Sequence, residues 1–287
     1  MTTLVHGNLF GRYGRALLLA IAGFMAPPQS ADAGDKPAWP AAIKARYSLR
    51  FDGMEVGKLA IDSTTTDTSY KLSGWAKVSV LFGAMTAGGS STATGKIERG
   101  APAPAAFAYD WFQNEKRGKV QIGYKDGAAS DIAVQPPAKV KSDTVPLKPA
   151  DKTGTVDPLS ALLALTKADG QNPCERRARI FDGKQRYDIV LTPKRLARLP
   201  SSTGGDQSEP AYVCRLMYEP VAGHRNNADT KTFAANRDWE LVLRRIPGTE
   251  MLIPYSVTIP TPWGTGSMVT EKIEVSADKV RKAALTN

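Results

Sequence analysis

Histidine and cysteine supply much of the acid–base, nucleophilic and metal chemistry of enzymes, and this chain has only two of each in 287 residues. His6 falls in an N-terminal segment that reads as a leader, so His224 is the histidine left for chemistry. It sits in the polar run Gly223-His224-Arg225-Asn226-Asn227 and reads as a solvated loop residue, with no serine elbow of the Gly-x-Ser-x-Gly type to serve. No His-Glu-x-x-His run, phosphate-binding loop or dinucleotide fingerprint occurs. No apolar run reaches the roughly 20 residues that a membrane helix needs. No repeat of fixed period is present. These absences exclude histidine-dependent hydrolases and the common cofactor enzymes. No metal, cofactor, transmembrane segment or catalytic residue is expected.

The N-terminus carries a different signal. Arg12 and Arg15 precede an apolar run from Ala16 to Ala26, and Ala31-Asp32-Ala33 is a small-x-small cleavage site. The two arginines are not adjacent, and no cysteine follows the site, so neither a twin-arginine nor a lipoprotein leader fits. Residues 1–33 therefore read as a cleaved signal peptide. Residues 34–287 read as one β-rich periplasmic domain with a loop at 135–156.

Acidic residues are in the minority, 28 against 38 basic ones, and the formal net charge is +10. In an exported protein such an excess does not call for nucleic acid. The available anions are lipid head groups and wall polymers, and net charge also keeps a protein soluble.

What the chain has in quantity is alternation. Ala45, Tyr47, Leu49 and Phe51 oppose Arg46, Ser48 and Arg50, the mark of a half-buried strand. Asp52-Gly53, Asp126-Gly127 and Asp182-Gly183 are hairpin signals. Strands are expected over 56–63, 70–80, 91–97, 107–112, 119–125 and 129–134. After the loop they continue over 177–181, 185–191, 212–218, 239–246, 253–259 and 267–275. Phe82 to Gly89 breaks the pattern, Arg99 to Pro104 reads as a turn, and Pro193 to Pro210 as a mobile loop. Val221 to Asn236 reads as a polar loop, and the tail from Ala277 as a frayed helix. One helix interrupts the strands. Asp157 is its N-cap, Pro158 its first residue and Gly170 its end. Leu159, Leu162, Leu163 and Thr166 share one face, so it should lie against a sheet. The fold class is mainly β, an antiparallel sheet curled into a half-barrel, barrel or spiral with one short helix packed against it.

Cys174 and Cys214 are an even pair in an oxidising compartment and read as a disulfide. A reactive thiol or a metal site is the alternative, and a metal would need more partners than His224. Between Cys174 and Arg198 lie eight basic residues: Arg176, Arg177, Arg179, Lys184, Arg186, Lys194, Arg195 and Arg198. Glu175, Asp182 and Asp188 are the acids there. Arg176, Arg177, Arg179, Lys184 and Arg186 are the candidate anion-binding residues. Alternation outward on two exposed strands explains the same pattern. Asp110, Asp188 and Glu240 lie within strands and are the carboxylates to examine for paired acid–base work. Their ordinary reading is the polar face of a sheet.

Four stretches together resemble a known family. They are Phe51-Asp52-Gly53 with Val56-Gly57, then Asp157-Pro158-Leu159-Ser160-Ala161-Leu162, then Cys174 before Phe181 to Asp188. The last is Tyr212-Val213-Cys214 with Tyr218 to Gly223. The chain is similar over residues 45–275 to the exported proteobacterial proteins called domain of unknown function 3108. That resemblance implies a periplasmic β-rich fold and no established enzyme activity. In architecture the chain also resembles the disulfide-locked β-spiral proteins that support envelope integrity in alphaproteobacteria, although fold does not imply function.

Two functions follow as expectations. The first is a soluble, non-enzymatic periplasmic protein of the cell envelope that binds a lipid, a polyanionic component or an envelope protein. The second is a cell-wall glycan or lipid hydrolase that uses carboxylates. An apolar concavity would favour the first, and a deep polar cleft with converging acids the second. Export is testable directly: the secreted protein should begin at Gly34 by N-terminal sequencing, and a start upstream of Ala16 would overturn the leader.

Overall fold

The computed structural model describes residues 42–167, 172–201, 208–246, 249, 251–277 and 280–286, without side-chain detail at 82, 277 or 280–286. The expected signal peptide and cleavage site, Gly170, and the Pro247-Gly248 turn lie outside them. So does most of the Ser/Gly-rich part of the loop expected to be mobile.

Alternation produces strands almost everywhere. The first seven are β1 (Ala42–Phe51), β2 (Met54–Thr65), β3 (Ser69–Val80), β4 (Met85–Glu98), β5 (Ala101–Gln113), β6 (Lys116–Lys125) and β7 (Ala128–Gln135). They form one antiparallel meander. The helix α1 (Pro158–Thr166) follows. A second meander is built from β8 (Arg176–Phe181), β9 (Arg186–Pro200), β10 (Ser208–Ala222), β11 (Glu240–Arg245), β12 (Leu252–Thr261) and β13 (Gly264–Ala277). A short helix, α2 (Ala228–Ala235), lies between β10 and β11. The meanders join where β1 pairs with β13, and β14 (Val280–Thr286) adds to β13. The result is one antiparallel sheet, nearly closed into a barrel.

All three aspartate–glycine turns join adjacent antiparallel strands. Asp52 and Gly53 take φ of 48° and 82°, and Asp126 and Gly127 take 52° and 72°, the left-handed pair that matches the twist of a hairpin. The third turn is longer. The Asp182 carboxylate accepts from the backbone N–H groups of Lys184 and Gln185 at 2.8 and 2.7 Å.

Five segments depart from the sequence reading. The glycine-rich break over 82–89 is a single turn of 3₁₀-helix at Leu81–Gly83, and β4 then runs straight through Gly88 and Gly89. Arg99 to Pro104 is a turn only at Arg99 and Gly100. Pro102 and Pro104 lie within β5, opposite Ile97 and Gly95, where β5 has β4 on one side and is not yet paired with β6. A proline lacks the N–H of a ladder bond, so this one-sided stretch suits it. Pro193 to Pro200 extends β9 rather than a loop, and the tail is strand β14 rather than a helix, because β13 past Val269 has a free edge beyond β12. The Val221–Asn236 loop holds α2, capped by Asn227, whose side chain accepts from Thr230 N–H at 3.0 Å.

The sheet ends at β7 and β8, and each would present an unpaired edge. The connection after β7 crosses between them. Gly154 N–H donates to Gly127 O at 2.8 Å on the β7 side. Val156 N–H donates to Arg179 O at 2.8 Å, and Phe181 N–H to Val156 O at 3.0 Å, on the β8 side. Upstream, Arg225 and Asp143 form an ion pair at 2.9 Å that fastens the same connection to the end of β10. The loop at 135–156 is therefore the seam of the barrel.

The chain then turns inward. α1 touches β3, β4 and β5 on one side and β8 and β12 on the other. Leu163 packs with Ile43, Tyr47, Leu72, Phe107 and Ile273, and Leu159 borders that cluster. Ala161 and Leu165 pack with Ile180, Leu191, Leu241 and Leu243. The helix is thus a plug with two apolar faces, not a helix on one side of a sheet. A helix that is apolar all round is a buried one, and Leu-Ser-Ala-Leu-Leu-Ala-Leu has that character.

Cys174 and Cys214 are bonded, with Cα atoms 5.1 Å apart and 40 residues between them in sequence. Both are buried in the second cluster, so the link ties the approach to β8 across β9 to β10. In the chain-entropy account a loop of that length stabilises by about 4 kcal/mol. Cys174→Ser and Cys214→Ser should each lower the thermal midpoint by roughly 8–16 °C if unfolding is two-state, and the double variant by no more than either. Alkylation of both thiols in oxidised protein would contradict the bond.

Candidate functional site

Inside the barrel the N-terminus of α1 is held by a chain of buried polar groups. Asp157 is fully buried, and its Oδ1 accepts from the backbone N–H groups of Leu159 and Ser160 at 3.0 and 2.9 Å. Ser160 Oγ donates to Asp157 Oδ2 at 2.5 Å. Its proton spent, Ser160 Oγ must accept the 2.7 Å bond from the Tyr70 hydroxyl of β3. Tyr70 reaches this point because Gly95 of β4 lies beneath its ring; a Cβ there would stand 2.5 Å from the phenol oxygen. Burial raises the Asp157 carboxyl above its usual range, with the bonds to Ser160 and Leu159 working the other way. Burial likewise pushes the Tyr70 phenol up, more than the Ser160 bond lowers it.

Beyond the C-terminal half of α1 lies a partly enclosed cavity of about 40 Å³. Its walls include Ile43, Ala45, Ile61, Leu72, Leu162 and Met251, with Tyr47, Ser63 and Thr166 as the hydroxyl-bearing residues. Neither buried acid, Asp157 or Asp188, lines it, nor does the partly buried Asp182. By the space that one water needs, the cavity holds roughly three. With so apolar a wall it suits hydrocarbon better.

The carboxylates singled out in the sequence are not free acid–base groups in a common cleft. Asp188 of β9 is buried between Arg186, which pairs with its Oδ1, and Arg177, 2.5 Å from its Oδ2. Glu240 of β11 is held down to about 2 by Arg195 and Lys194, at 3.0 and 2.7 Å. Asp110 faces outward on β5, opposite Ser90 and Lys119. His224 has a buried Nδ1 without a hydrogen-bond partner among the described residues.

The basic cluster is also redistributed. Arg186, expected on an exposed face, is only 4% exposed, because its guanidinium pairs with Asp188. Arg177 is exposed but joins Asp188 to Glu219 at 2.5 and 2.6 Å. Lys184 is partly buried, with its ammonium 5.6 Å from the centre of the Trp111 ring. Arg176 is half-buried, and Arg179 points outward from β8. Of the five candidates, Arg177 and Arg179 are the exposed ones, and Arg177 is held in ion pairs. The Asp157–Ser160–Tyr70 chain and the cavity were not recognised from sequence. The Asp157 cap was legible, but Tyr70, which bonds Ser160, lies 90 residues before it.

The family model for "Protein of unknown function (DUF3108)" matches residues 46–271, from within β1 to within β13. Among solved structures, the chain is similar to a β-barrel-like protein of domain of unknown function DUF1849 from Brucella abortus. The two share 11% identity and a TM-score of 0.51, over 83% of this chain and 99% of that one. At that identity the likeness is one of fold. No curated protein matches the chain in sequence.

The raised carboxyl of Asp157 has a sign. A folded-state value above the unfolded one means that its contribution is full below about pH 4 and is lost as pH rises through the folded value. Asp157→Asn lacks that titration. The stability of wild type relative to Asp157→Asn, from urea melts, should therefore increase as pH falls from 7 toward 4. Asp157→Ala, which removes the cap as well, should cost at least about 1–2 kcal/mol at neutral pH.

Proposed function

The chain belongs to the DUF3108 family of proteins of unknown function, and on that premise we propose that it is an exported, periplasmic, non-enzymatic protein of the bacterial cell envelope that holds the end of an acyl chain in the cavity beside α1. The observation that carries the reading is the cavity itself, apolar on nearly every wall and free of the buried acids. A hydrolase would need unpaired acids facing a cleft. Here Asp188 and Glu240 are neutralised by cations, Asp157 and Asp182 accept from backbone amides, and Asp110, which has no partner among the described residues, faces a groove whose lining holds no second acid.

Two further features support placement at an envelope surface. Phe51, Met54, Leu81, Met85 and Trp263 are exposed on three hairpin tips at one end of the barrel. Isolated exposed apolar residues mean little, but a group on neighbouring tips marks a contact surface. The outward positions of β1, β3 and β4 carry Lys44, Arg46, Lys71 and Lys96, which suits water rather than a lipid-facing belt. Among the described residues, no helix is long and apolar enough to cross a membrane.

The test is acyl binding. A fluorescent long-chain fatty acid should bind the mature protein, and native mass spectrometry of protein from periplasm should show an acyl-bearing adduct. Ala45→Leu fills the cavity from β1 and should weaken binding by on the order of tenfold, with the barrel still folded by circular dichroism. Failure of folded wild type to bind the probe would overturn the acyl reading.

A further inference from the structure

The outer surface of the first meander carries a groove of about 370 Å³ over β3, β4 and β5, away from the plugged interior. The register builds it in two rows. Trp75, Ser90, Asp110 and Lys119 lie side by side across β3 to β6, and Lys77, Gly88, Phe112 and Arg117 form the next row. Small residues on β4, Gly89 and Ser90, line its floor. Trp75 stands up from β3 and is 48% exposed. The Phe112 ring leans over bare Gly88, where a Cβ would meet its Cζ at 2.9 Å. Arg117 stacks on Phe112, 5.2 Å from the ring centre, and is held there by a 2.7 Å bond from its Nη1 to Asn114 O.

Lys77, Ser90 and Asp110 make no side-chain hydrogen bond or ion pair among the described residues. A half-exposed indole thus borders an uncommitted acceptor, a hydroxyl and a cation. We propose that this groove binds a carbohydrate, with the apolar face of a sugar ring stacked on Trp75 and its hydroxyls bonded to Asp110, Ser90 and Lys77. The volume falls in the usual range for small-ligand sites, and the lining has their pattern of aromatic walls with a few polar groups. The Asp110 carboxylate in the lining disfavours a polyanion. β3, β4 and β5 are paired on both flanks along the groove, so no strand edge is free for an extended peptide. A hydrocarbon chain would cover three polar groups without bonding them. A sugar ring is amphipathic in the same sense as the groove, apolar on its C–H face and polar at its rim.

This site stands apart from the acyl cavity, and its test is separate. Calorimetric titration of the mature protein with glucose tetramers and N-acetylglucosamine tetramers should show binding of at least one. Trp75→Ala should weaken it roughly tenfold, the scale of one lost aromatic stacking contact. Asp110→Asn should weaken it less, and Trp75→Phe should retain part of it. Both positions are on the outer face, so the thermal midpoints of all three variants should stay close to wild type. Trp263→Ala, at an exposed indole elsewhere, should bind as wild type does. Absence of binding of both tetramers by folded wild type at about 10 mM would overturn the proposal. So would unchanged binding in Trp75→Ala, or equal loss in Trp263→Ala.

Discussion

The barrel is organised around one buried carboxylate. Asp157 gives up its hydration entirely, and three donors within its own helix turn replace it. Burying a charge without such partners would cost far more than a helix cap returns. Because Ser160 spends its proton on Asp157, it can only accept from outside, and Tyr70 is the donor supplied. That single direction of bonding connects the start of α1 to β3. At the other end of the helix, Lys167 forms a bridge with Met251, so the plug is fixed to both meanders. Gly95 belongs to the same constraint, since it leaves room for the Tyr70 hydroxyl.

Placing the helix inside changes what the rest of the chain must do. A plug with two apolar faces needs sheet on both sides, and two meanders of similar size provide it. They are joined by strong pairing at β1–β13, near the ends of the described chain, and by the crossing connection at the opposite seam. The disulfide stiffens the second meander where β8, the shortest strand beside β11, begins. The apolar cavity lies where the helix stops filling the barrel, between Leu162, Leu163 and the inner faces of β1, β2, β3 and β12.

Charge follows the same division between inside and outside. The concentrated positive segment from Arg176 to Arg198 is less a free patch than a set of ion pairs, with Asp188, Glu219 and Glu240 absorbing Arg177, Arg186, Lys194 and Arg195. By contrast, the outward groove over β3–β5 keeps Lys77, Ser90 and Asp110 uncommitted among the described residues. Side chains already satisfied by neighbours have little left for a ligand, which is why the proposed carbohydrate site lies on the first meander and not in the basic cluster.

Sequence by itself determined the local elements of this protein. Alternation specified most strands, three aspartate–glycine pairs specified three hairpins, and Asp157-Pro158 marked the start of the helix, because each rests on neighbours within a few residues. The two cysteines could be paired because no others competed. Only the tertiary structure decided what depends on distant partners: that Gly88, Gly89, Pro102 and Pro104 lie within strands, where a ring or a one-sided ladder accommodates them, and that Arg186 is buried by Asp188. It alone placed α1 within the barrel, since Tyr70, Gly95 and the seam at Thr153–Val156 meet the helix only after the sheet has curled. The outward groove has the same origin: its rows join β3, β4, β5 and β6, and no single strand contains the pattern.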